Sequence, residues 1–296
     1  MKKRNTFGNL LLLLTAVIWG SAFVAQRTGM ESIEPFTFNA ARMLLAAVFV
    51  GIPAMVAGSR GAPDKNGSVN ILRSDTFKGG VTCGVFLALA SLLQQAGIVY
   101  TSAGKAGFIT SMYMLYVPVL GSLFFRKKNR PVTWPAIALG VFGMYLLCIN
   151  GSLQLSKGDA LIAGCSLFFG FHILFCDRYA VRGNPIGIAA IQFATVSVIS
   201  FAAALLLEHP TTDKILLAAG PILYCGIISG GLGYTFQIIG QRHTEPAAAS
   251  LILSLESVFA VLTGALFLNE RLTGRECIGC VVMFLAVILV QLPPRR

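Results

Sequence analysis

Charge is what this sequence has least of. Lys, Arg, Asp and Glu make up 12% of its 296 residues, where a soluble domain carries roughly a quarter. With 55% of the chain hydrophobic and a mean hydropathy of +0.75, too little polar surface remains to clothe a water-soluble globule. Acids are the scarcer sign, 12 against 23 bases, and an excess of that size in a soluble protein would point to nucleic acid. No Gly-x-x-x-x-Gly-Lys-Ser/Thr loop is present, which excludes ATP coupling through a phosphate-cradling loop of this chain. The seven cysteines fall mostly inside apolar runs, where a free thiol behaves as a small hydrophobe. Cys277-x-x-Cys280 has no second cysteine pair or histidine beside it, so neither a disulfide framework, a metal site nor a cofactor is expected.

What the chain does have is long apolar runs. Between Arg4 and Arg27 lie 22 residues without an Asp, Glu, Lys or Arg, and about 20 apolar residues cross the ~30 Å hydrocarbon layer as a helix. Charge-free runs recur at 79–104, 106–125, 131–156, 160–176, 183–207, 215–241 and 277–294. Two more, 35–59 and 246–269, are broken only by Arg42 and Glu256 respectively. Ten spans follow. They read as helices, because lipid offers no partner for backbone N–H and C=O groups and a membrane barrel would show ~10-residue alternating segments instead. Met1-Lys2-Lys3-Arg4 before an apolar stretch resembles a secretory leader, but nine further spans follow and Trp19-Gly20-Ser21 lies inside the run, so it reads as the first helix.

The basic excess is explained by topology. With the N-terminus in the cytoplasm, sixteen cations fall on the inner side, among them Lys2, Lys3, Arg4, the cluster Arg126, Lys127, Lys128 and Arg130, and Arg295 and Arg296. Six fall outside: Arg27, Lys105, Lys157, Lys214, Arg271 and Arg275. The positive-inside bias predicts a multi-pass plasma-membrane protein with both termini cytoplasmic, and no nucleic-acid partner is needed.

The chain also repeats itself. At an offset of 143, Gln94/Gln237, Gly97/Gly240, Thr101/Thr244, Ala106/Ala249, Ser111/Ser254, Gly121/Gly264 and Phe124/Phe267 align. At an offset of 150, Gly8/Gly158, Gly20/Gly170 and Pro35/Pro185 align, the difference being one longer loop at 58–76. Two domains are expected, 1–150 and 151–296, each of five spans. Five is odd, so the second copy enters the membrane upside down. The expected fold is all-α and integral to the membrane, ten helices as two inverted five-helix repeats. Carriers built this way hold their substrate near the midplane between the halves.

At this point the sequence resembles the EamA branch of the drug/metabolite transporter superfamily over essentially its whole length. The most specific stretch runs from Ser254-Leu255-Glu256-Ser257-Val258-Phe259-Ala260 to Leu266-Phe267-Leu268-Asn269-Glu270-Arg271-Leu272-Thr273, similar to a family motif Leu-Glu-Pro-Val-Phe-Ala ending in Leu-Gly-Glu-Arg-Leu. Ser257 replaces the family's usual proline and Asn269 its glycine. Ala16-Val17-Ile18-Trp19-Gly20, Pro35 with Arg42, and Gly107-Phe108-Ile109-Thr110 also match, whereas the first repeat ends in Arg126-Lys127-Lys128 rather than Glu-Arg. The resemblance implies a ten-helix carrier for small polar metabolites, often an exporter of amino acids or related compounds.

Arg42 and Glu256 are the candidate site residues of first rank, since an ionisable side chain inside a span costs at least ~2.5–3.5 kcal/mol on insertion scales. Seven residues from Pro35 place Arg42 about 11 Å from the outer end, and ten from Pro246 place Glu256 about 15 Å from the inner end, nearly the same depth. Either they form a buried pair, or at least one serves substrate or gating, with a zwitterionic substrate between them, or they occupy separate solvated positions. The repeat maps Arg42 onto Gln192, Glu256 onto Tyr113 and Trp19 onto Phe169, so these depths in the other half carry polar or aromatic groups. Gln94, Gln95 and Gln237 are candidate lining groups, although glutamine also bridges membrane helices. Among Tyr113, Tyr116 and Tyr234, Tyr113 is best placed. His172, in a run with Phe168, Phe169, Phe171 and Phe175, is either a packed hydrogen-bond partner or a proton relay. Gly226, Gly230, Gly231 and Gly233 permit close helix approach, and Pro118 is expected to break the fourth span.

An intramembrane enzyme would need converging catalytic groups, and one Glu, one Arg and one His do not supply them. The reading is a secondary transporter, an exporter of small polar metabolites by alternating access, with a small-molecule substrate and the lipid bilayer as its partners. A homodimer stays open. The alternatives are a multidrug or organic-cation exporter, for which a buried glutamate and aromatic walls would suit, and a non-transporting membrane scaffold.

Overall fold

The computed structural model describes residues 2–59, 74–100, 103–148, 156–267 and 273–292, and every regular element among them is helical. The helices are α1 (Lys2–Gly29), α2 (Pro35–Ser59), α3 (Ser74–Ile98), α4 (Ala103–Thr110), α5 (Tyr113–Phe125), α6 (Thr133–Cys148), α7 (Lys157–Ala180) and α8 (Pro185–Leu207). They continue with α9 (Thr212–Leu217), α10 (Ala219–Leu223), a π-helical segment Tyr224–Tyr234, α11 (Thr235–Gln241), α12 (Pro246–Leu253), α13 (Glu256–Phe267) and α14 (Gly274–Gln291). Nine stretches of described residues are long and apolar enough to cross a membrane, and Thr133–Leu147 is a tenth, shorter one. α4 with α5 makes the fourth span, α10 to α11 the eighth, and α12 with α13 the ninth.

Helix ends depart from the charge-free runs. α3 starts at Ser74, five residues before its run, because a helix continues into the headgroup layer where Asp75 and Lys78 are solvated. α6 covers Thr133–Cys148 rather than 131–156, and 149–155 lie outside the described residues, as do 268–272 of the signature stretch. Starts are fixed by side chains that take up orphan N–H groups. Ser156 with Asp159 and Thr273 with Glu276 form capping boxes, and Asn184 accepts from Ile186 and Gly187 ahead of Pro185. α2 is capped from the end of α8: the carboxylate of Glu208, just past that helix, accepts from the backbone N–H of Phe36 and Thr37 at 2.8 and 2.7 Å.

The two halves interlock rather than sit side by side. α1 packs on α13, the π segment and α11, while α7, its counterpart, packs on α3, α4 and α5. α2 lies against α8 and α6 against α14, each a contact between equivalent helices. The glycines that align in the repeat sit at these crossings. A Cβ on Gly158 would stand 2.6 Å from the Gly97 carbonyl oxygen, and one on Gly8 would stand 2.8 Å from that of Gly240. Likewise, Gly20 faces Phe259 and its mate Gly170 faces Tyr116, the residue equivalent to Phe259. Without a hydrophobic drive between helices in lipid, close backbone approach of this kind is what holds spans together. Apolar side chains such as Leu206, Leu217, Leu266 and Val198 are left exposed, as on a lipid-facing surface.

Candidate functional site

The fourth and ninth spans break at equivalent points. After Thr110 the backbone tightens, Met112 N–H bonding the Ile109 carbonyl at 3.2 Å, and after Leu253 the Leu255 N–H does the same to Ile252 at 3.2 Å. These three-residue turns are tighter than the α-helix and end it locally. Around the second break, Ser250, Ser254 and Ser257 hydroxyls each bond a carbonyl three residues back, and Ser254 takes that of Leu251, which the Leu255 N–H leaves for Ile252. Pro118 does not break the fourth span: α5 runs through it, and the interruption falls at Ser111–Met112.

Each break puts a polar residue first in the helix that follows. In one half it is Tyr113, in the other Glu256, and the two meet: the Tyr113 hydroxyl donates to Glu256 Oε1 at 3.1 Å, with Ser111 Oγ donating to the same oxygen at 3.3 Å. Arg42, 3% exposed, is held elsewhere. Its Nε and Nη2 donate to Asn39 Oδ1 at 2.9 and 2.8 Å, and Asn39 Nδ2 donates to Ser91 Oγ at 3.0 Å and Ser200 Oγ at 2.8 Å. The buried-pair alternative is therefore corrected. Arg42 and Glu256 make no ion pair among the described residues: Asn39 holds one edge of the guanidinium, and Tyr113 and Ser111 hold one oxygen of the carboxylate.

Both instead line one cavity of about 450 Å³ of empty space, its open mouth included. Its walls are built in equivalent pairs: Trp19 with Phe169, Phe23 with Ile173, Gln94 with Gln237, and Tyr113 with Glu256. Superimposed on this symmetry are unmatched polar groups from Arg42, Gln26, Thr110, Ser229 and Tyr234. Gln94 Nε2 donates to Thr110 Oγ1 at 3.2 Å. Gln237, 1% exposed, has neither its Oε1 nor its Nε2 partnered. The cavity floor is shaped by the π segment, whose widened turns offer the Ser229 carbonyl to Trp19 Nε1 at 3.2 Å. Gly226 and Gly230 let that segment lie against α2, while Gly233 leaves room for the Trp19 indole, which is 4.5 Å from the Tyr234 ring.

Of the residues singled out in the sequence, Arg42, Glu256, Tyr113, Trp19, Gln94 and Gln237 come together at this cavity. His172 and Gln192 do not line it. They bond each other, His172 Nε2 to Gln192 Oε1 at 3.1 Å, behind the aromatic wall, with the imidazole edge-on to Tyr234 at 5.9 Å and to Phe169 at 6.4 Å. Gln192, the counterpart of Arg42, bonds a histidine, and the second half has Ala189 where the first has Asn39. Asn39, Phe23, Ile173, Gln26, Thr110 and Ser229 escape the sequence reading. Phe23 and Ile173 sit one turn past the Trp19/Phe169 pair, and Asn39 one turn before Arg42, so helical spacing from the known positions points to them.

Interlocked inverted halves around a polar cavity among apolar, span-length helices are the architecture of a secondary carrier. The sequence profile of the EamA-like transporter family matches the chain twice, over residues 6–149 and 156–292, and the chain belongs to that family. Among its relatives is an uncharacterized transporter of Archaeoglobus fulgidus, 30% identical over 98% of this chain and 87% of the relative. The uncharacterized inner membrane transporter YedA of Escherichia coli strain K12 is 25% identical, over 97% of this chain and 90% of its own. The uncharacterized transporter YwfM of Bacillus subtilis is 24% identical, over 97% and 95%. A crystal structure sharing 16% of its sequence and covering 96% of either chain superposes with a TM-score of 0.75, and so shares the fold.

Proposed function

We propose that the protein is a secondary transporter that exports a small zwitterionic metabolite, an amino acid or a close relative, by alternating access between its two repeats. It works without catalysing a reaction, with both termini in the cytoplasm. The observation that carries this reading is the cavity itself, where a buried guanidinium and a buried carboxylate share one space without neutralising each other. An uncompensated charge in a water-poor interior is expensive, and a molecule bearing one group of each sign satisfies both at once. Gln237 adds a donor and an acceptor with no protein partner, available to a bound molecule.

The experiment is a flux screen with purified protein in liposomes, using labelled amino acids, organic cations and neutral metabolites, with and without a proton gradient. Saturable movement of zwitterions, lost in Arg42→Ala and in Glu256→Ala variants that still fold, supports the reading. Transport of lipophilic cations that needs Glu256 but not Arg42 replaces it with an organic-cation exporter, for which Trp19, Phe169 and Tyr234 provide the aromatic walls. No movement of any solute returns the weight to a scaffold.

A further inference from the structure

We propose that Asn39 sets the charge selectivity of the cavity, by holding Arg42 through a neutral amide so that the carboxylate of the cargo becomes its counter-ion. The inference rests on the transporter reading above. A guanidinium fork normally closes on a carboxylate, which offers two oxygens and cancels the charge. Here both donors that face back along α2 converge on a single amide oxygen, Asn39 Oδ1, and the charge stays uncancelled.

The amide cannot turn. Its two Nδ2 hydrogens go to Ser91 Oγ and Ser200 Oγ, on α3 and α8, so a flip would set Nδ2 against the guanidinium and Oδ1 against the two hydroxyls. Asn39 and both serines are fully buried, as the fork demands of a fixed support. Three helices, two from the first repeat and one from the second, thus fix one rotamer of Arg42, directed at the same space as Glu256 and Gln237. Asn39 touches no cargo and lies outside the lining. It is a positioning residue that leaves the cation both oriented and unpaired. An aspartate of the same size at this position would bind the fork as well or better and remove the need for an anion.

The test compares Asn39→Asp with the unaltered protein in proteoliposomes. The probes are L-amino acids, the amines left by removing their carboxyl group, and their amides. We expect KM for the amino acids to rise at least tenfold in Asn39→Asp, kcat to hold within about threefold, and preference to move toward the amines. A merely structural asparagine would lower the amount of folded protein and leave the order of preference untouched. If Asn39→Asp fails to fold, Ser91→Ala with Ser200→Ala frees the amide to rotate and should raise KM for amino acids without changing that for amines. An unchanged ratio of amino acid to amine in either folded variant overturns the role of Asn39 and leaves the transporter reading standing. Failure of the unaltered protein to move any probe overturns both.

Discussion

Gln94 and Gln237 are equivalent in the repeat and line the same cavity, yet replacing each by methionine should change stability in opposite directions. Methionine matches glutamine in length and volume, so packing is nearly conserved. Gln237 has both amide atoms buried and unpartnered, and an unsatisfied buried polar group costs about 1–3 kcal/mol. Gln237→Met should therefore stabilise the empty protein, by about 1–2 kcal/mol once the modest size of polar terms in membranes is allowed for. Gln94 Nε2 donates to Thr110 Oγ1, and interhelical hydrogen bonds in membranes average about 0.6 kcal/mol with a maximum near 1.7. Gln94→Met should cost that much. The assay is unfolding in mixed micelles without substrate, read as a midpoint, followed by flux. Gln237→Met should show a raised midpoint together with a KM increased about tenfold, since 1.4 kcal/mol of lost binding is one decade. A lowered midpoint in Gln237→Met with unchanged KM refutes the reasoning, because the amide would then be serving the fold and not the cargo.

Gly8→Val and Gly158→Val should both sharply lower folded yield, as each would push a side chain into the carbonyl of Gly240 or Gly97, whereas Gly107→Ala meets nothing within 4 Å and should be neutral by the same fluorescence size-exclusion measure. Lys127 and Asp177 form an ion pair that ties the end of the fourth span to the sixth, one residue from each half. Being partly exposed, it should contribute no more than about 1 kcal/mol to stability. Asp177→Lys should change the flux rate, and adding Lys127→Asp should restore it; no restoration would remove the pair from the transport cycle. On the other face, the Lys214 ammonium bonded to Glu34 holds that carboxyl below its usual value of 4.5. A depressed carboxyl lends stability that is complete above its unfolded value and is lost as pH falls through the folded one. Unfolding midpoints should thus fall below about pH 4.5, and Glu34→Gln should flatten that part of the profile by less than about 1 kcal/mol.

The spans were legible because lipid imposes one rule on every residue facing it, and the repeat was legible because close crossings tolerate only glycine. Gly8, Gly20, Gly97, Gly158, Gly170 and Gly240 aligned in the sequence for the same steric reason that they touch across the halves. The breaks were not legible. Pro118 carries the familiar signal and α5 passes through it, while the interruptions at Ser111–Met112 and Ser254–Leu255 arise from short-range turns with no proline to announce them. Nor could sequence decide whether Arg42 and Glu256 pair. Depth brought them to one level, but the outcome depended on Asn39, Tyr113 and Ser111, ordinary polar residues whose importance lies in what faces them.

Duplication explains why framework and site obey different rules here. Under the proposed alternating access both halves exchange shapes, so the crossings that guide the motion stay equivalent, as the glycine contacts do. A bound cargo has no such symmetry. Equivalent positions in and behind the cavity walls are therefore free to diverge, and they diverge in charge or polarity: Tyr113 against Glu256, Gln192 against Arg42, Ala189 against Asn39. Restoring symmetry at one of these positions gives a direct test of that division. Glu256→Tyr keeps the size class found at Tyr113 and deletes the only acid among the described lining residues of the cavity, so the protein should still fold while amines and amino acids lose their hold. Retained transport of cargo with a fixed positive charge in folded Glu256→Tyr would mean that the cation of the cargo binds elsewhere.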